Sequence, residues 1–420
     1  MTEHSKAAPK NFFLTWRYIQ FWIASLLSNM GTWMQQIAQP WVVLSLSNSA
    51  FWVGLDSFAL NVPGLLFTIV GGILADRFDR RRVVIFFQVI QFVCVVLLVF
   101  LLAAGWLKVW MIVCISFMVG LTDALSNPAF QTIVPSLVRP EEIPRAVSLN
   151  STQFNLSRIL GPAVAGVVIA RYGAVACFGA NAASYVPYFI ALYFIYPRNR
   201  AKMPAEPIQA KPVDELSEIR KLIVIPEVRL PLMMVLVTNL FCGPLVTFCP
   251  VIIKNVFHSG VGDFGWAIAA FGSGGVIGAV GSFIPVSRMF KRKVAFAASL
   301  LLGLVVIAIA LNHSLVLLLA LLVVAGTALT TANIAVNIFL QETATNNIRG
   351  RVASLYQLSL YGGISIGGLL TGFVVSGLGV STALLINGAL AFVLQLCLLW
   401  AQVYGLKTNK MVTQKNIIER

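Results

Sequence analysis

An almost uncharged run of about 23 residues, roughly what a helix needs to cross the hydrocarbon core of a bilayer, ends abruptly at Asp76-Arg77-Phe78-Asp79-Arg80-Arg81-Arg82. Six charges fall there within seven positions, and a second apolar run begins at once. Apolar chain on both sides cannot bury those charges. Two membrane-crossing helices joined by a tight turn at the lipid–water boundary satisfy both demands, because a spanning helix meets its backbone hydrogen bonds internally.

The same alternation continues along all 420 residues. With 58% hydrophobic and 11% charged residues, the chain lies outside the range of soluble domains. Twelve segments of spanning length can be drawn, at 17–45, 51–75, 83–105, 109–136, 145–171, 174–196, 228–255, 262–286, 293–312, 314–340, 350–377 and 381–405. An even number puts both termini on one side. No cleavage site follows the first apolar run, so that helix is expected to be retained.

The net charge of +15 does not point to nucleic acid, because the basic residues sit in short clusters between apolar runs rather than on one face of a soluble domain. Of the 30 Lys and Arg, only Lys108, Arg171 and Lys254 fall in the loops opposite the termini, and only Arg158 inside a span. By the positive-inside rule both termini and the Asp76 turn face the cytoplasm. The expected location is the cytoplasmic membrane of a bacterium.

Residues 197–227 form the one extended polar stretch, rich in Pro, Lys and Glu. They divide the chain into an N-terminal six-helix bundle (1–196), a cytoplasmic linker (197–227), a C-terminal six-helix bundle (228–405) and a tail (406–420). A weak internal repeat supports the division. Gly72 to Arg82, after the second span, is echoed by Gly281 to Lys293 after the eighth, with Pro285 where Asp76 would stand. The predicted fold class is all-α, twelve transmembrane helices in two pseudo-symmetric bundles.

The turn Gly72-x-Leu74-Ala75-Asp76-Arg77-x-x-Arg80-Arg81 resembles motif A of the major facilitator superfamily. Its Ala-Asp-Arg-Phe-Asp-Arg-Arg-Arg variant, with Asp79 where glycine is common, is similar to the third drug:proton antiporter family, which includes macrolide efflux pumps and the enterobactin exporter. Asn29-Met30-Gly31-Thr32-Trp33-Met34-Gln35, Gln131-Thr132-Ile133-Val134-Pro135, Asn155 to Pro162 and Ile348 to Tyr356 match that family at corresponding places. The resemblance implies a small-molecule transporter working without a cofactor, with protons as the coupling ion and a monomer as the working unit. Gly161-Pro162-Ala163-Val164-Ala165-Gly166 resembles the helix-bending motif C of drug antiporters, which favours export. Phe117–Asn127 lacks the arginine that many twelve-span antiporters carry there, so no proton route through such a residue is implied.

In the family, the motif A carboxylate contacts the start of the eleventh helix as a gate. Here that assigns Gly72, Asp76, Arg77, Arg80 and Arg81 opposite Arg349–Ser354. The alternative is a turn that merely obeys the positive-inside rule, which explains the arginines but neither Gly72 nor Asp76.

Arg158 lies near the middle of the fifth span, where an ionised side chain is costly. Asp123 is similarly central in the fourth, so an Asp123–Arg158 ion pair is expected, either coupling proton to substrate or simply locking the two helices. Asp56, without a basic neighbour in sequence, is a second proton site. Ser151, Asn155, Arg158 and Pro162 share one helical stripe.

The family cavity is lined by helices one, four, seven and ten. On this chain that suggests Asn29, Trp33, Gln36, Asn127, Asn239, Phe241, Phe248, Thr331, Asn333 and Asn337, together with Asn155 of the polar stripe. Aromatic rings beside amides suit a bulky amphipathic ligand, although each aromatic residue could equally be packing.

Cys94, Cys114, Cys177, Cys242, Cys249 and Cys397 lie in apolar runs without CxxC or histidine partners, which reads as packing rather than metal or disulfide. His4, His258 and His313 are dispersed, and no Walker A sequence occurs. The chain reads as a transporter and not an enzyme, with proton-driven export of a drug or siderophore as the expected activity. Dedicated export of one metabolite, or a lipid flippase or membrane sensor on the same scaffold, are the rival readings. Substrate-dependent proton flux separates the last two from the first.

Overall fold

In the computed structural model, which describes residues 16–138, 142–194, 222, 224–282, 287–344 and 348–418, the expected spans are helices. The N-terminal half holds α1 (Trp16–Ser47), α2 (Ala50–Arg77), α3 (Arg80–Ala103), α4 (Val109–Ser136), α5 (Ile143–Tyr172) and α6 (Val175–Phe194). In the C-terminal half, α7 is broken, while α8 (Val261–Gly281), α9 (Arg288–Ala310), α10 (Leu315–Thr343), α11 (Arg349–Leu378) and α12 (Val380–Ile418) are continuous. Eleven of the described helices are long and apolar enough to cross a membrane. The twelfth, α1, has the length at 32 residues but carries Asn29, Gln35, Gln36 and Gln39. Of the expected linker, all but 222 and 224–227 lies outside the described residues.

The break in α7 corrects the expectation of one uninterrupted span at 228–255. Pro226–Val237 passes into a π turn at Thr238–Cys242, followed by short helices Pro244–Thr247 and Cys249–Asn255. Pro244 and Pro250 supply no N–H to the preceding turn, and the widened turn absorbs the mismatch. Helix α12 differs the other way, running past 405 to Ile418 because no proline interrupts it.

The packing repeats from one half to the other with a shift of six helices. Helix α2 packs on α4 as α8 does on α10, α3 on α4 as α9 on α10, and α1 on α5 and α6 as α7 on α11 and α12. The two starting turns correspond as well. The Asp79 side chain accepts from the Arg82 amide at 2.8 Å and caps α3, and Ser287 caps α9 through the Phe290 amide at 3.3 Å. Asp79 therefore stands in place of the family's glycine as an N-cap, a role glycine fills without a side-chain hydrogen bond.

Two seams join the halves, α2 against α11 and α5 against α8. Both are built from small residues that let backbones touch. A Cβ placed on Gly54 would meet the Gly368 carbonyl oxygen at 2.5 Å, and one on Gly166 or Gly265 would meet the Ala269 or Ala170 amide nitrogen at 2.3 or 2.4 Å. All these contacts lie in the half of the membrane away from the termini. There Trp41 also stacks on Phe264 at 5.1 Å, Phe51 meets Phe373 edge-on at 5.0 Å, and Lys254 Nζ donates to Asn48 Oδ1 at 2.6 Å. Toward the terminal end of the same helices, Gly64, Gly72, Gly281 and Gly350 have open space where a Cβ would be. The halves are pressed together at one end, while at the other these glycines meet no partner across the seams.

Candidate functional site

Helix α1 carries its polar residues one turn apart, so Gln35 and Gln39 share a face. That face is turned into the N-terminal bundle. Asn181 on α6 donates to Gln35 Oε1 at 2.7 Å, Gln35 reaches Gln39 at 3.4 Å, and Gln39 Nε2 donates to Asp56 Oδ2 and to Ser116 Oγ, both at 2.7 Å. The chain of bonds closes when Ser116 Oγ donates to Asp56 Oδ1 at 2.6 Å. Four helices thus converge on one carboxylate that is only 4% exposed. Among the described residues no cation pairs with it. A buried carboxylate with hydrogen bonds but no counter-ion is held by a narrow margin, which suits a group that gains and loses a proton.

The two other ionisable candidates do not meet. Asp123 accepts from Gln91 Nε2 at 2.9 Å, and Gln91 in turn receives the Tyr185 hydroxyl at 3.4 Å. Arg158 lies instead beside the Tyr356 hydroxyl of α11, with Tyr361 within electrostatic reach of both Arg158 and Asp123. The expected Asp123–Arg158 ion pair is therefore absent from this conformation. Matching depth in adjacent helices does not fix the direction of the side chains. Asp123 turns to α3, and Arg158 extends toward the other half.

Tyr356 is the end of a second polar chain, in the C-terminal bundle. Its hydroxyl donates to the Asn333 carbonyl oxygen at 3.1 Å, and the Asn333 side chain pairs with Asn239 at 3.1 Å. Asn239 and Asn333 are only 2% and 7% exposed. They form an amide pair within the bundle rather than lining an open cavity, which corrects the reading of both.

Phe248 and Thr331 are also displaced from the expected lining. Phe248 is fully buried and its ring touches the Cα region of Gly372 at the closed end, where a Cβ on that glycine would lie 3.5 Å away. The π turn upstream inserts a residue and rotates the helix that follows. Thr331 faces α8, its Oγ1 lying 2.9 Å from where a Gly278 Cβ would be. Phe241 packs against the same apolar core.

The remaining candidates sit on the open side. Asn29 reaches Gln153 at 3.3 Å, and Trp33 lies edge-on to Phe154 at 6.4 Å with Gly161 packed against its Cβ. Gln36 and Asn155 are half-buried on α1 and α5. Asn127 and Asn337 each accept from a glutamine one turn on, Gln131 at 3.3 Å and Gln341 at 2.9 Å, at equivalent places in the two halves. Helix α5 runs through Pro162 without a break. The Asp76 carboxylate and the Arg349 side chain lie outside the described residues, and so does Ser151. Of the turn itself, Arg77 is exposed, Arg80 is half-buried, and Arg81 Nη2 donates to the Tyr193 carbonyl oxygen at 3.3 Å.

Gln39, Ser116, Gln91 and Tyr356 were not singled out by the sequence reading. Gln39 was findable: it precedes the end of α1 by about as much as Asp56 follows the start of α2, so the two share a depth. Nothing in the sequence brings Ser116 to the same point.

A sequence profile described as transmembrane secretion effector matches residues 11–419. The chain is 26% identical to the staphyloferrin A transporter of Staphylococcus aureus, over 88% of this chain and 92% of that one. It is also 26% identical to the multidrug efflux pump Tap of Mycobacterium tuberculosis, over 86% and 88% respectively. In fold it resembles the nucleoside transporter NupG, with a TM-score of 0.69 at 14% identity, covering 91% of this chain and 98% of NupG.

Proposed function

Because the chain belongs to the transmembrane secretion effector family of the major facilitator superfamily, and so is a multi-pass membrane transporter rather than an enzyme, we propose that it exports a bulky amphipathic compound in exchange for protons. The work is done by alternating access, with the bundles 1–196 and 228–405 rocking about the two glycine seams while the linker 197–227 tethers them. The termini face the cytoplasm, so the open end described above is the loading end, and a single chain is the working unit. Drug-like and siderophore-like compounds are the candidate cargoes, since relatives are named for each.

The observation that carries the reading is the pairing of a one-sided opening with the Asp56 network. The network lies in the N-terminal bundle at the level of the closed seam, where a proton taken from outside could be held apart from the loading cavity. Motif A, with Asp76 at its centre, would act as the gate at the cytoplasmic end. The test is export into everted membrane vesicles under an imposed pH gradient, run on a panel of cationic, neutral and anionic amphiphiles. Accumulation that collapses with the gradient supports proton-coupled export. Accumulation indifferent to it leaves transport standing and removes the proton.

A further inference from the structure

Arg158 is the one basic residue deep within a span, and its setting is unusual. Helix α5 packs against α1 and α8, whereas α11 packs against α2 and α7, and the two share no extended seam. For Arg158 to reach Tyr356 its side chain has to cross the space between the halves. Among the described residues it has no carboxylate partner. A guanidinium carries five N–H donors and keeps its charge at any physiological pH, so a single neutral hydroxyl leaves most of its capacity unused.

On the export reading given above, we propose that Arg158 is the anchor for a carboxylate on the transported compound, which places the cargo among amphipathic carboxylates. The surroundings divide the labour. Phe154, one turn before Arg158 on α5, and Trp33 form a half-buried aromatic wall, and the Asn29–Gln153 amide pair lies beside it. An apolar or aromatic body rests on that wall while its carboxylate takes the guanidinium in a two-pronged contact. Asp123 is turned to α3 and held there by Gln91, so it does not occupy the guanidinium.

The exchange has a mechanical consequence. The Tyr356 hydroxyl donates to the Asn333 carbonyl oxygen, so it keeps its own bond when a carboxylate takes its place beside Arg158. Loading thereby draws Arg158 away from Tyr356, loosening an approach of α5 to α11, and frees the halves to rock.

The test uses rhodamine B and its ethyl ester, which share a cationic ring system and differ by one free carboxylate. Their binding is measured by fluorescence polarisation on the full chain in lipid nanodiscs, with empty nanodiscs subtracted. A charge-assisted hydrogen-bonded contact gives the acid about tenfold or greater preference over the ester. Arg158→Gln removes the preference while keeping ester binding, Arg158→Lys keeps part of it, and Tyr356→Phe keeps it all. Equal affinities, no saturable binding of the acid, or a preference that survives Arg158→Gln overturns the proposal. Should Arg158→Gln fail to fold, the wild-type comparison decides alone. Gradient-driven export of both dyes without preference would sink the anchor and leave the exporter, whereas loss of all gradient-driven export would sink the exporter.

Discussion

Replacing Gly265 by alanine puts one methyl group into the α5–α8 seam where the two backbones touch. The new carbon would lie 2.4 Å from the Ala170 amide nitrogen and 2.7 Å from its Cα, both backbone atoms that no rotamer change can move, whereas ordinary contact begins at 3.4 Å. The two helices must therefore separate by about 1 Å, and interiors packed like solids do not yield that locally. Overpacking of this kind costs about 1–3 kcal/mol. Because the penalty falls only on the conformation in which this end is closed, it moves the equilibrium toward opening there by about 5- to 150-fold. The assay is the rate of maleimide labelling of a single cysteine introduced at Ser381, in the cleft of about 470 Å³ at the closed end, in a background freed of the six native cysteines. Labelling rises by that factor in Gly265→Ala. Gly179→Ala on α6, where a Cβ meets open space, leaves the rate unchanged. An unaltered rate in Gly265→Ala, or an equal rise in the control, would refute the reasoning that this seam is the closed gate.

Other perturbations follow from the same geometry. Asp56→Asn keeps the shape of the buried network but removes its titratable group, so gradient-driven export is lost while substrate binding persists; vesicle transport beside a binding assay checks both. Ser116→Ala leaves the Asp56 carboxylate with Gln39 alone and lowers thermal stability by about 1–3 kcal/mol, read by unfolding in detergent. Asp79→Ala removes the cap of α3 at a cost of about 1 kcal/mol, and Asp79→Gly costs only a few tenths. A larger loss with glycine than with alanine would contradict the capping role.

The spans and the placing of the basic turns at helix ends were legible because they depend on one-dimensional quantities: run length, charge and position of arginine clusters. Helix α1 was readable despite its glutamines, since its length and flanks marked it. What escaped depended on the rotation of one helix about its axis relative to another. Asp123 and Arg158 share a depth, yet their side chains leave in different directions. Phe248 turned inward because a π turn at Thr238–Cys242 changes the phase of everything after it, and no spacing in the sequence announces that insertion. Asp56 was seen as a carboxylate without a cation, but its partners come from α1 and α4, 17 and 60 positions away, a meeting that only the assembled bundle creates.

The central claim is that the two ends of the molecule open in alternation around these seams. Double electron–electron resonance on two spin-label pairs tests it directly: Tyr172 with Leu378 across the closed end, and Gln131 with Gln341 across the open end, all four of them exposed. On shifting pH and adding a transported amphiphile, the first distance lengthens as the second shortens, with both populations present throughout. Distances that lengthen together, or a second pair that never closes, would contradict it.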